Sequence, residues 1–177
     1  MSKSLCFTGH RKLAGQYYSG SINTPGPWTN VYNTLYNLLR DQAIVNKFIA
    51  GGAIGFDTLA AQVVLALKFA GKPFELTVAV PFAGQESKWP RKSREIYTAI
   101  CNAADNVVVV SEGSYSPQKM QIRNEWMINN TDYTLALFTR GTAAGGTFNA
   151  VQYALKERKA VGFLDPDTLD VNWELPG

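Results

Sequence analysis

The chain spends one histidine, His10, and two cysteines, Cys6 and Cys101, in 177 residues. The cysteines form no spaced pair of the kind that reads as a metal site or a redox motif. Both sit among apolar neighbours, which predicts buried free thiols in a reducing compartment. No low-complexity tract is present, and 46% hydrophobic against 18% charged residues is the balance of an ordinary globular protein. A net charge of +3 suits anionic small molecules but falls short of the clustered Lys/Arg of a nucleic-acid surface. Nucleic acid is therefore not expected as a partner. The basic stretch Lys88–Arg94 (KWPRKSR) reads as a solvated helix start rather than a DNA contact. The first residues, MSKSLCFTGH, lack an apolar signal-peptide core, and no run reaches membrane-spanning length, so a soluble, cytoplasmic protein without membrane partners is expected. Two nucleotide motifs are missing as well. No G-x-G-x-x-G and no G-x-x-x-x-G-K-[ST] occurs, which disfavours NAD oxidoreductases and P-loop ATPases.

What is present is alternation. Apolar runs rich in β-branched and aromatic residues fall at Ser4–Thr8, Asn46–Ala50, Leu76–Val80, Val107–Val110, Thr134–Thr139 and Ala160–Leu164. Several are apolar on both faces, as strands covered from both sides must be. Helical spacing lies between them, over Asn30–Ala43, Asp57–Ala70, Ser93–Ala104, Met120–Asn130 and Thr147–Lys159. The alternation predicts an α/β fold, a Rossmann-like doubly wound and mainly parallel sheet with helices on both faces. One such domain over 1–177 is expected, with a long loop inserted at about 17–29 (YYSGSINTPGPWT). That loop is either decoration or functional, with Tyr17, Tyr18 and Trp28 as candidates for a lid or for base stacking.

Three segments place glycine where a strand gives way to the next element: Thr8-Gly9-His10-Arg11, GGAIGFDTLAA (Gly51–Ala61) and GTAAGGTFNAV (Gly141–Val151). Glycine permits a close backbone approach, and the first N–H groups and dipole of the following helix favour an anion. One such turn means little; three on the carboxyl edge of one sheet point to a phosphate-bearing ligand. Arg11 supplies charge, and His10 a hydrogen bond, without an identifiable nucleophile beside it.

The remaining polar residues carry two readings each. Asp57 either caps the second helix or accepts from ribose hydroxyls. Thr147 either caps its helix or binds a phosphate oxygen. Phe82 and Trp89, after Pro81, are packing residues or ligand contacts, while Gln85 is placed to read the edge of a base. Arg123 and Asn124 are neighbours on a helix, so they are expected to point about 100° apart and need not act together. Trp126 and Met127 read as core or interface, and Asp132 as a turn residue.

The ordered set FTGHR, GGAIGFDTLAA, PF–Q–W, RNEWM–D and GGTFNAVQYA resembles the YpsA/YoqJ-like family of the SLOG superfamily of Rossmann-like nucleotide-binding domains. The resemblance covers the chain except the 17–29 loop and the tail after about Asp165. It implies one of two activities. LOG-like relatives are phosphoribohydrolases that cleave the N-glycosidic bond of nucleotide monophosphates, while others bind NAD- or ADP-ribose-derived, sometimes cyclic, signals in bacterial and phage conflict. The hydrolases share P-G-G-x-G-T-x-x-E. Laying its G-T on Gly146-Thr147 puts Ala150 where the Glu assists cleavage, and neighbouring Asn149 is no general base. Phe138-Thr139-Arg140 departs from the Trp-Asp-Gly often found near the fifth strand.

The resemblance therefore implies a binding protein, a sensor or a sequestering sponge, without a cofactor or metal, and expected to be a homo-oligomer. The ligand residues it implies are Thr8, Gly9, His10, Arg11, Gly51, Gly52, Ala53, Gly55, Phe56, Asp57, Pro81, Phe82, Gln85, Trp89, Arg123, Asn124, Gly145, Gly146, Thr147 and Asn149. Phe56, Trp89 or Tyr17 would stack the base. The alternative is an N-glycosidase in which Asp57 or Glu125 handles the water or the leaving base. DprA-type relatives associate with nucleic acid, which the mild charge argues against here.

Overall fold

The structure is a computed structural model and describes residues 2–177. Six strands run parallel: β1 (Lys3–Gly9), β4 (Val45–Ala50), β5 (Glu75–Val80), β6 (Asn106–Val109), β7 (Tyr133–Leu137) and β8 (Ala160–Leu164). Five helices alternate with them: α1 (Pro27–Asp41), α2 (Phe56–Phe69), α3 (Arg91–Ala103), α4 (Pro117–Asn129) and α5 (Gly146–Lys156). The sheet order is β6-β5-β4-β1-β7-β8-β9, where β9 (Val171–Glu174) closes the edge antiparallel to β8. This is the expected Rossmann-like, mainly parallel architecture.

Each central strand is apolar on both faces because each face has its own core. Leu5 and Phe7 point into a large cluster with α1, α2 and Ile100 of α3. Cys6, between them, points into a second cluster with Met127 and Ile128 of α4 and Ala150 and Ala154 of α5. The pleat of one strand thus splits the helices into two layers.

The chain steps outward from β1 through β4 and β5 to β6, then returns to lay β7 on the other side of β1. The connections leaving β1 and β7 therefore diverge, opening a crevice at their carboxyl ends. Doubly wound sheets bind ligands at such reversals.

Two elements were invisible in the sequence. Strands β2 (Lys12–Leu13) and β3 (Gln16–Tyr17) form a small hairpin directly after Arg11. Its turn residues Ala14 and Gly15 both have positive φ (48° and 75°), the backbone of a tight hairpin turn. Two-residue strands are too short to show a period. Strand β9 is mostly exposed and polar; what anchors it is Trp173, lying on Gly162 and edge-on to Tyr133 at 5.9 Å.

In the 17–29 segment two of the three candidate aromatics are core residues. Tyr18 and Trp28 are buried and their rings meet at 5.4 Å. The Tyr18 hydroxyl donates to Gln62 Oε1 at 2.6 Å, and Trp28 Nε1 donates to the Gln16 carbonyl at 2.9 Å. Its aromatics extend the core over α1 and α2, and only Tyr17 stays exposed, beneath the Lys12 ammonium. Among the described residues no helix is long and apolar enough to cross a membrane, and no cluster of metal-ligating side chains occurs.

Candidate functional site

At the β1/β7 crevice lies a cleft of about 270 Å³, floored by Thr8, Gly9, His10 and Arg11 and walled by Ala53, Asp57, Arg123, Asn124 and Gly145–Thr147. The structure thus gathers eleven of the sequence-predicted residues around one space. Ile54, Met120, Thr142 and Ala144 line it too. Thr142 lay within a motif already singled out, whereas no pattern marked Met120.

The three glycine loops are not equivalent. A Cβ on Gly9 would meet Phe56 Cδ2 at 2.6 Å, and one on Gly55 would meet the Arg11 Cα at 2.5 Å and the His10 carbonyl at 2.8 Å. These glycines let the β1 and β4 loops touch, and the contact is closed by Phe56 N–H donating to the His10 carbonyl at 3.1 Å. Gly51 leaves room for Arg123 and Asp57, whose side-chain atoms would lie 2.5 and 2.6 Å from a Cβ there. Gly52 fits under Tyr97, Val78 and Gln85. Gly51, Gly52 and Gly55 thus serve internal packing, and only Ala53 and its neighbour Ile54 border the cleft. The third loop is different: a Cβ on Gly145 or Gly146 would meet nothing within 4 Å. Helix α5 starts there without a side-chain cap, leaving its first N–H groups and positive dipole end open to the cleft. Thr147 is accordingly no cap.

His10 has a task that its sequence position did not reveal. Its Nε2 accepts the Thr139 backbone N–H at 2.9 Å, and its ring stacks on Phe138 at 6.2 Å. An accepting Nε2 carries no proton, so the imidazole is neutral and its proton sits on Nδ1. Burial pushes its pKa below the ordinary 6.5, consistent with that state.

Arg123 is buried at 3% exposure. Its Nη1 donates to the Gly51 carbonyl and, at 3.3 Å, to that of Ala79, so it ties the ends of β4 and β5 together. Its Nε donates to Asn124 Oδ1 at 2.9 Å. Although adjacent on the helix, the two side chains therefore meet. Nη2 faces Asp57 Oδ2 at 3.9 Å, and Asp57 also accepts from the Ala53 N–H at 3.4 Å. Burial pushes the Asp57 carboxyl up and the guanidinium opposes it. Asp57 lies inside the first turn of α2 rather than at its cap, which is Gly55. With His10 neutral, two guanidiniums (Arg11 and Arg123) face one carboxylate around the cleft, a net positive lining.

Other expected residues lie elsewhere. Phe56 is fully buried, edge-on to Phe7 at 6.1 Å, so it cannot stack a base; it follows Gly55 on the helix side that turns into the core. Pro81 is buried, and its carbonyl accepts from Ser111. Asn149 is exposed outside the cleft, and Glu125 accepts from Gln121 at 3.1 Å, likewise away from it. Ala150 is fully buried on the core face of α5. Phe82, Gln85 and Trp89 line a second cleft of about 660 Å³, with Tyr115, which no sequence signal marked.

A family model described as the YspA SLOG family, under the name YpsA, matches residues 28–169, well over half the chain. The chain belongs to that family. The match begins at Trp28, so the Thr8–Arg11 loop lies outside it. Among curated relatives, the SPbeta prophage-derived protein YoqJ of Bacillus subtilis is 33% identical over 62% of this chain and 70% of its own. A UPF0398 protein of Levilactobacillus brevis is 32% identical over 76% and 71%, and one of Halalkalibacterium halodurans 35% over 53% and 50%. The chain spans about half the length of several of these relatives. The fold is shared with DNA processing protein A (DprA) from Streptococcus pneumoniae, at TM-score 0.63 and 14% identity over 93% of this chain and 50% of that one. DprA from Helicobacter pylori gives TM-score 0.60 at 17% identity, over 92% and 65%.

The Helicobacter structure is described by a single-stranded DNA binding mode. The exclusion of nucleic acid drawn from mild net charge is therefore withdrawn. Single strands are held by stacking on aromatic side chains as well as by charge, so net charge is a poor filter for this fold. Family and fold together give a Rossmann-like domain of the SLOG family.

Proposed function

We propose that this YpsA-family chain binds the phosphate of a nucleotide-type ligand at the β1/β7 crevice and releases it unchanged. The observation that carries the reading is the uncapped start of α5, where Gly145 and Gly146 stand open opposite Arg11 and Arg123. An anion there meets free N–H groups, a helix dipole and net positive charge together. NAD- or ADP-ribose-derived signals, linear or cyclic, fit this chemistry, and the protein would act as a sensor or a sequestering sponge in bacterial or phage conflict. The prophage origin of YoqJ is in keeping with that setting.

Hydrolysis has less support. Asp57 is committed to Arg123 and the Ala53 N–H, Glu125 is turned away, and the position of the hydrolytic Glu is the buried Ala150. A single-stranded oligonucleotide remains a competing ligand for the same edge.

Incubating the protein with AMP, NAD, ADP-ribose, cyclic ADP-ribose isomers and a short oligothymidylate, then denaturing it and weighing what is released, tests the reading. One intact nucleotide in the released fraction is the expected result. Free base or ribose phosphate accumulating would make the protein an enzyme, and saturation by the oligonucleotide alone would make it a DNA-binding domain.

A further inference from the structure

The second cleft has chemistry of its own. It borders the first, and Arg11 and Met120 line both. Its volume, about 660 Å³, is in the range of small-molecule sites. Its walls are aromatic: Phe82 pairs edge-on with Tyr115 at 6.0 Å, and Trp89 with Tyr97 at 5.4 Å. Tyr115 is 64% exposed, so one side of its ring is open to an incoming group.

Gln85 lines the same cleft and is 8% exposed. Its Nε2 and Oε1 are the buried side-chain polar atoms that lack a hydrogen-bond partner among the described residues. Nε2 sits against Gly52, and the Tyr97 ring lies against the same glycine. Buried amides are almost always satisfied, and leaving both ends of one unpaired is costly. A donor and an acceptor side by side, in an aromatic cleft, match the hydrogen-bonding edge of a nucleobase. Both amide atoms are shielded from solvent, so reading a base requires the Gln85 side chain to turn into the cleft it lines.

We infer that the Phe82–Trp89–Tyr115 cleft is the base compartment of a bipartite site, with Gln85 reading the edge of a purine or pyrimidine whose phosphate lies at α5. The inference rests on the phosphate reading above, but its test separates the two. Three probes are titrated calorimetrically: AMP, ribose 5-phosphate, which lacks a base, and adenosine, which lacks a phosphate. The variants are Gln85→Leu and Tyr115→Ala.

The expected results are that AMP binds at least tenfold tighter than ribose 5-phosphate, and that Gln85→Leu weakens AMP and adenosine by about tenfold to a hundredfold. Ribose 5-phosphate should bind the variant as before. Tyr115→Ala, at an exposed ring, should weaken AMP several-fold with no change in melting temperature. Gln85→Leu should melt no lower than the parent, since exchanging an orphaned amide for an apolar group of similar size is neutral or stabilising.

A lower melting temperature in Gln85→Leu would make the amide structural, held by Tyr97 or an internal water, and would overturn the inference. AMP binding that is unaffected by Gln85→Leu would do the same. Adenosine binding through Gln85 while ribose 5-phosphate fails would uphold the base compartment and remove the phosphate reading. Binding by none of the three would remove both.

Discussion

Thr139 donates its backbone N–H to Nε2 of His10 at 2.9 Å, joining residues 129 apart in sequence. This one bond pins the loop after β7 to the loop after β1, so the two strands that create the crevice are also clasped at its mouth. The sole imidazole of the chain is spent as a neutral acceptor, and the anion-binding character of the cleft comes from Arg11, Arg123 and α5.

A pH dependence follows. The folded-state pKa of His10 lies below its ordinary 6.5 because burial disfavours the charged ring. Between those two values the unfolded chain binds more protons than the folded one, so stability rises with pH through that window. The contribution is fully present above 6.5 and is lost as pH falls through the folded value, where protonation also removes the Thr139 acceptor. A single histidine gives a single imidazole signal by NMR, and its midpoint should fall below 6.5. A midpoint above 6.5 would contradict the neutral-acceptor assignment.

The buried pair should respond asymmetrically. Arg123→Leu strands a buried carboxylate and strips the Gly51 and Ala79 carbonyls of their donor. Breaking a buried ion pair from one side costs about 3–5 kcal/mol. Adding Asp57→Leu to that variant should recover part of the loss in a denaturant titration, because no buried charge then remains. A double variant less stable than Arg123→Leu would show that Asp57 contributes through bonds other than this pair.

Two of the loop glycines should behave oppositely. Gly55→Ala places a methyl 2.5 Å from the Arg11 Cα at a φ of 105°, and neither backbone has room to yield. Strained backbone of this kind costs on the order of 1–3 kcal/mol before the clash is added. Gly146→Ala enters open space at a helix start, where alanine is well tolerated, and should leave melting unchanged. It should nevertheless weaken a phosphate ligand by tenfold or more, since the methyl occupies the approach to the α5 N–H groups. Thermal melting alongside ligand titration checks both.

Restoring the hydrolytic carboxylate should fail. Ala150 is fully buried in the α4–α5 core with Cys6, Met127 and Val161. Ala150→Glu puts a charge into that cluster with no partner, which is expected to destabilise the protein by several kcal/mol, of the order of other buried unpaired charges. Release of free base from AMP should stay at background. Turnover by a folded Ala150→Glu protein would show that the site differs from a hydrolase by this position alone.

The strands, helices and doubly wound plan were legible because central strands such as Leu5–Phe7 must be apolar on both faces, a pattern independent of distant contacts. The glycine loops were legible as a group, but their division of labour was not. Gly51 is required by Arg123, 72 residues away, and Gly55 by the Arg11 backbone, and neither relationship leaves a local signature. Phe56 was expected to stack a base as an aromatic within the second glycine motif, whereas helix phase turns it into the core. The Tyr18–Trp28 pair looked like a loop because its glycines and prolines hide two core aromatics. The placement of β7 beside β1, which creates the crevice, depends on strand order, and no single segment carries it.

The most direct test of the account is a calorimetric titration of the wild-type chain and Gly146→Ala with ADP-ribose, each checked by melting. The account predicts saturable binding of intact ligand to the wild type, at least tenfold weaker binding to Gly146→Ala, and equal melting temperatures. Equal affinity in the two proteins would place the phosphate somewhere other than the start of α5 and contradict the account.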